Sequence, residues 1–271
     1  EAGIFHLRSM NKTLEARIKN ATHVVLKFGT GVLTEHIHAG STKYFRQIAK
    51  ECLWLQSQGK KVIIVSSGAG GFGRVILKKS RNIVLPNATL KEKQSLASLG
   101  QSLLIDTYRT AFAKENLPAA QILLTRTDFE NKRHLQNLRA TLSQLLDWGA
   151  VPVINENDAI ANEEIKVGDN DNLSADIALL YPKSLLVLLT TIDGFYRNKE
   201  RVPHIARVSA DIKKHAGNAA EGGTGGMITK LQAAEKILRA DQAMIIAAGK
   251  DIRIVRRILE AKDAGTWVYN A

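Results

Sequence analysis

Cysteine is almost missing from this chain. Cys52 is the only one in 271 residues, so neither an intrachain disulfide nor a cysteine-based zinc site can form, and a reducing cytoplasm is the expected compartment. The five prolines build no Pro- or Ser-rich linker. Aromatic residues make up only 6%, and the basic residues are dispersed, which argues against a nucleic-acid platform of stacked rings and clustered cations. No apolar run approaches the ~18 residues of a membrane-spanning helix. Acids are scarce relative to bases, 26 against 38, for a net charge of +12 that suits anionic partners. The N-terminus lacks the charged-then-apolar pattern of a secretory signal, and Glu15 counts against a transit peptide.

What remains is an ordinary globular mixture, 45% hydrophobic and 24% charged. Short β-branched runs alternate with longer amphipathic stretches. Strands are expected at 23–28, 61–65, 120–125, 151–155, 185–189, 243–247 and 266–269. Helices are expected at 41–58, 89–115, 133–148, 172–180, 229–240 and 251–260. Ser41 and Thr42 are candidate caps of the first helix, and Leu96, Leu99, Leu103 and Leu104 are expected to face inward from the second. Alternation of apolar strands with helices predicts an α/β fold: a mostly parallel central sheet sandwiched between helices. Residues 1–20 read as an N-terminal extension, with 1–9 a non-native leader ahead of Met10, and 21–271 as one domain.

In such sheets ligands sit beyond the carboxyl ends of the strands, and here the polar and glycine-rich segments fall after 28, 66, 154 and 189. Lys27, followed by Gly29-Thr30-Gly31, is suited to hold phosphate oxygens beside exposed backbone N–H groups. Gly68-x-Gly70-x-x-Gly73 has the spacing of a dinucleotide fingerprint. However, it follows the second strand and lacks an acidic ribose partner, so it reads as a nest of donors at a helix start. The cluster Asn155-Glu-Asn-Asp158 with Asp169-Asn-Asp171-Asn172 can recognise an ammonium group and orient lysines, or can form plain Asx turns. The segment Gly222 to Lys230 lacks Walker spacing but brings amides and a lysine to a helix start, suited to a polyphosphate. His36 and His38 lack further ligands for a metal, His134 reads as a surface residue, and Cys52 as core filling.

Six segments carry a resemblance: Val24–Thr34, Ile63–Ala69, Ala120–Arg126, Val151–Asp158, Ile165–Ser174 and Gly223–Lys230. In collinear order from about residue 22 they resemble the glutamate 5-kinases of the amino acid kinase family. The resemblance implies the amino acid kinase fold and ATP-dependent phosphorylation of the L-glutamate γ-carboxylate, the first step of proline synthesis. By matching position it implies Lys27, Lys230 and Asp171 as catalytic residues. Ser67, Gly68, Ala69, Asp158 and Asn170 would hold glutamate. Lys27, Gly29, Thr30, Thr190, Thr191, Thr224, Gly225, Gly226, Met227 and Lys230 would hold ATP. Mg²⁺ would be carried mainly by the ATP phosphates, with no protein metal site. Proline as feedback inhibitor and a homo-oligomer, dimer or tetramer, also come with the resemblance, and no nucleic acid or membrane partner does.

The chain departs from the family pattern at Gly31 (usually serine), at Gly70-Gly-Phe-Gly73 (usually Ile-Ala-Ala-Gly) and at Thr191 (usually aspartate). It stops at Gly265-Thr-Trp-Val-Tyr269, where the kinase domain normally ends, so the PUA domain of many bacterial relatives is not expected in it. Competing readings are a kinase of another small acid, a Rossmann-type oxidoreductase that would bind NAD(P), and an RNA-binding protein with salt-sensitive affinity.

Overall fold

The sheet is built outward from the most apolar strands. A computed structural model describes residues 12–38, 42–160, 170–216 and 226–271. A helix, α1 (12–20), leads into β1 (His23–Phe28) and α2 (Thr30–His38). Then come α3 (Lys43–Ser57), β2 (Lys61–Ser66), α4 (Ala69–Arg81), α5 (Leu90–Ala113) and β3 (Ala119–Leu124). They are followed by α6 (Arg126–Glu130), α7 (Lys132–Asp147), β4 (Val151–Glu156), α8 (Asn170–Leu179) and β5 (Ser184–Thr190). The chain continues through β6 (Tyr196–Arg197), β7 (Glu200–Arg201), β8 (His204–Ile205) and α9 (Ala210–Lys214). It closes with α10 (Met227–Arg239), β9 (Ala243–Ala248), α11 (Ile254–Leu259) and β10 (Gly265–Val268).

Eight of the described strands form one sheet in the order β3-β4-β2-β1-β5-β9-β10-β8, and only the β9–β10 pairing is antiparallel. Period-two alternation divides the core into two layers. Val24, Leu26 and Phe28 face the layer of α3, α5 and α11, where Phe45, Tyr108 and Phe112 are buried. Val25 faces the layer of α7, α8 and α10, among Leu142, Ile177 and Ile237. Lys27 is in phase with Val25 and lies in register with Val65 and Leu188, so its side chain leaves the sheet on the second side.

Several sequence expectations change. Of the four leucines assigned to the inner face of α5, Leu96 and Leu104 are buried, while Leu99 and Leu103 are exposed. The inner stripe of α5 runs Leu96, Gly100, Leu104, Tyr108 at i+4 spacing, which leaves the i+3 positions on its flank. Gly100 is inward because a Cβ there would lie 1.9 Å from the Ala69 carbonyl oxygen. At Gly73 of α4 the corresponding approach to the Leu96 carbonyl is also 1.9 Å. Gly73 therefore serves helix–helix contact, while Gly68 (φ 100°) caps the helix that starts at Ala69.

Gly29-Thr30-Gly31 ends β1 and opens α2 directly. Thr42 stands at the N-cap of α3 without a side-chain bond, and Ser41 lies outside the described residues. The final helix is shorter than expected, and α10 starts two residues earlier. The segment read as an extension contains α1, whose Leu14 and Ile18 join the core. The Lys60 ammonium donates to the carbonyls of Ile18, Lys19 and Ala21 at its end. The β6–β7 hairpin and β8 were not expected, since two-residue strands carry no periodicity.

Candidate active site

Three charged side chains meet at the carboxyl end of the sheet. Lys27 comes from β1, Asp171 from the first turn of α8 and Lys230 from the first turn of α10. The Lys27 ammonium lies 2.6 Å from Asp171 Oδ1, and that of Lys230 lies 3.0 Å from Oδ2. Thr229 donates its hydroxyl to the same Oδ2 at 2.7 Å. All three charged residues are nearly inaccessible, at 5%, 1% and 6% exposure. Burial alone pushes the Asp171 carboxyl up, but the ammonium groups of Lys27 and Lys230 more than reverse it and hold the pKa at about 2. Within this triad two positive charges face one negative charge, an arrangement suited to an anion that carries more than one charge.

The rim around the triad is made of helix starts. Gly68 and Gly226 cap α4 and α10 without side-chain hydrogen bonds, so first-turn N–H groups are left for an incoming acceptor. Gly29 and Thr30 open α2 beside them, with the Gly29 N–H donating to the Leu189 carbonyl at 3.0 Å. Thr190 ends β5, and its carbonyl accepts from the Gly249 N–H at 2.8 Å. Met227 is the first residue of α10.

On the β2–β4 side of the triad amides and hydroxyls predominate. Asn170, 3% exposed, donates its amide hydrogens to Ser67 Oγ at 3.0 Å and to Asn155 Oδ1 at 3.1 Å. Its own Oδ1 is buried and has no hydrogen-bond partner among the described residues. Asp158 follows β4 in a turn closed by the Ile160 N–H on the Asn157 carbonyl. Its Oδ1 is also buried without a partner among the described residues, and burial pushes its pKa up to about 6. Two buried acceptors thus stand beside a site rich in donors. An ammonium group is the ligand chemistry that satisfies such acceptors.

The amino acid kinase family model matches residues 22–248. A glutamate 5-kinase from Citrifermentans bemidjiense is 40% identical over 92% of this chain and 68% of its own length. One from Clostridium acetobutylicum is 39% identical over 94% of this chain and 97% of its own length. A third, from Vibrio vulnificus, is 41% identical over 90% and 65%. The chain belongs to the amino acid kinase family.

Seen as an amino acid kinase, the chain brings Lys27, Lys230 and Asp171 into one cluster and gathers Ser67, Gly68, Ala69, Asn170, Gly29, Thr30, Thr190, Gly226 and Met227 around the same sheet end. Thr224 and Gly225 lie outside the described residues. Two departures from the family pattern touch each other: a Cβ on Gly31 would lie 2.8 Å from Cγ2 of Thr191. The departure at 70–73 is taken up by packing. Gly71 faces the Thr34 methyl, Phe72 is buried edge-on against Phe45, and Gly73 meets α5.

Three residues outside the expected set belong to the cluster: Thr229 on Asp171, and Asn155 and Gln101 behind Asn170. Thr229 and Asn155 sit inside segments already singled out by sequence. Gln101 gave no signal, because one glutamine on a long helix looks like any solvated position. Among the remaining singled-out residues, His36 stacks on Tyr44, and His134 is exposed beside Asp128. Cys52 is buried, and burial pushes its thiol up so that it stays protonated.

Proposed function

We propose that this chain transfers the γ-phosphoryl group of ATP to the γ-carboxylate of L-glutamate, giving L-glutamyl 5-phosphate and ADP, the first step of proline synthesis. The observation that carries the reading is the convergence of the Lys27 and Lys230 ammonium groups on the single buried carboxylate of Asp171. Phosphoryl transfer asks little covalent chemistry of the protein. It asks for in-line positioning and for fixed positive charge where negative charge spreads over the equatorial oxygens.

In this reading Lys27 and Lys230 contact the transferring group, and Asp171 holds both ammonium groups in place, so that no reorganisation is needed when charge develops. The N–H groups at the starts of α2 and α10 cradle the phosphates, with Thr30, Gly226 and Met227 approaching through backbone; Gly29, whose N–H is spent on Leu189, lets the phosphates come close for want of a side chain, and Thr224 and Gly225 extend the second loop. Thr190 and Thr191 line the nucleotide side. ATP is taken as its Mg²⁺ complex. Both Asp171 oxygens are engaged by ammonium groups, so the metal travels with the phosphates. Glutamate lies on the amide side: Asp158 and Asn170 accept from its ammonium group, and Ser67, Gly68 and Ala69 donate to its carboxylate. No general base is required, because the attacking γ-carboxylate is ionised at neutral pH. The reading carries a cytoplasmic homo-oligomer with proline as feedback inhibitor.

An ATP-dependent hydroxamate assay with L-glutamate, L-aspartate and N-acetyl-L-glutamate in parallel tests it. Hydroxamate from glutamate, with little or none from the other two, is the expected outcome. Turnover of another acid but not of glutamate overturns the substrate, and no ATP dependence overturns the reaction.

A further inference from the structure

We infer that Gln101, on α5, is a positioning residue that braces the amino-acid cup by holding Asn155 in a relay of side-chain amides. The inference deepens the function proposed above and rests on it. The backbone N–H of Glu156 can only donate, and it meets a side-chain atom of Asn155 at 2.9 Å, so that atom is the carbonyl oxygen. The Asn155 amide nitrogen therefore faces the other way, 2.8 Å from Gln101, which must present its Oε1.

The same Asn155 oxygen receives a second hydrogen bond, from Asn170 at 3.1 Å, so the Asn170 atom turned to it is nitrogen. The other amide hydrogen of Asn170 goes to Ser67 Oγ at 3.0 Å. Both hydrogens are spent, and the Asn170 oxygen is left buried, accepting nothing from the described protein groups. Ser67 Oγ, having accepted, keeps its own proton to give. The cup thus presents an acceptor at Asn170 and a donor at Ser67, the pairing that fits an ammonium group and a carboxylate on one ligand.

The Glu156 N–H sets this order, and Gln101 braces it from outside by accepting the remaining Asn155 amide hydrogen. Without its Oε1, that hydrogen faces an apolar neighbour with no acceptor, and the Asn155 side chain is drawn off its place to find one. Asn170 then loses the acceptor that distinguishes its two ends. The close crossing of α4 and α5 brings Gln101 within reach: Gly100, the preceding residue, lies against the Ala69 carbonyl with no room for a Cβ. One half-buried polar residue next to the packed stripe of α5 is thereby aimed at the sheet end.

The test compares Gln101→Met, which keeps length and helix propensity but removes the acceptor, with Gln101→Glu, which keeps an acceptor. L-Glutamate affinity is read by calorimetry, and turnover by KM and kcat. Q101M is expected to weaken glutamate binding and raise its KM about tenfold, the scale of one charge-assisted hydrogen bond, with KM for ATP and kcat within twofold. Q101E is expected within threefold of wild type. Thermal melts report whether either variant fails to fold. Glutamate affinity unchanged in Q101M overturns the relay. So do equal losses in Q101M and Q101E, or parallel rises of both KM values, because packing alone would produce those. A wild-type chain that binds glutamate without phosphorylating it sinks the reaction and leaves the relay standing. A wild-type chain that phosphorylates glutamate while Q101M behaves identically does the reverse.

Discussion

The two halves of the sheet end solve different problems with different chemistry. On the β1–α8–α10 side, formal charges are buried and locked: one carboxylate holds two ammonium groups, and every distance is short. On the β2–β4 side, neutral amides hold one another, and the half-buried Asp158 carries a carboxyl whose pKa burial has raised. Locked charge suits a step in which charge moves, since the stabilising field is present before the transition state forms. Oriented amides suit recognition, since their direction, not their net charge, separates one small acid from another.

Breaking the charged half should cost most. Asp171→Asn removes the carboxylate that compensates two buried ammonium groups and is expected to lower kcat by about 10²–10³, read in the hydroxamate assay. In the wild type Asp171 should add no limb to the pH–rate profile near neutrality. With its folded pKa held at about 2, its contribution to stability is present above the unfolded value near 4 and is lost only as pH falls through about 2.

The next effect is on stability. Gly73→Ala drives a methyl into the Leu96 carbonyl and is expected to cost about 1–3 kcal/mol or more by denaturant titration. Gly70→Ala, where nothing lies within 4 Å of the added carbon, separates crowding from helix propensity and should be neutral or stabilising.

The amide half should answer to pH. Asp158 is charged only above about 6, so KM for glutamate should rise as pH falls from 6 to 5, by at most tenfold. Asp158→Asn should give a raised, pH-flat KM. The sign for stability is opposite. A carboxyl raised on folding penalises the folded state as pH climbs from about 4 to about 6, so Asp158→Asn should raise the Tm at pH 7.5 and leave it unchanged at pH 3. A KM that ignores pH across this window would detach Asp158 from the ammonium group.

The smallest effect is expected at the seam where two departures meet. Gly31→Ser pushes a Cβ against the Thr191 methyl, and KM for ATP should rise severalfold. Adding Thr191→Ser removes that methyl and should restore it. No rescue would mean that the two positions act separately.

The sheet was legible in the sequence because its inner strands are apolar runs; Lys27 stands out as the one charge inside such a run, and Asp171 and Lys230 stand out in segments too polar for a core. What was not legible depended on approach between elements. Gly73 and Gly100 look like punctuation until α4 and α5 are seen to touch at them. Leu99 and Leu103 have the composition of a core face, yet i+4 packing leaves them outside. Gln101 has no local signature, since its partner lies on a strand 54 residues away.

In the proposed transfer the Lys27 and Lys230 ammonium groups act as one unit on the phosphoryl group in flight. The most direct measurement is kcat, at saturating ATP and glutamate, for Lys27→Met, Lys230→Met and the double variant. Each single change should lower kcat by about 10² or more, and the double should fall well short of the product of the two. A single variant that turns over glutamate at the wild-type rate would take that lysine out of the transfer step.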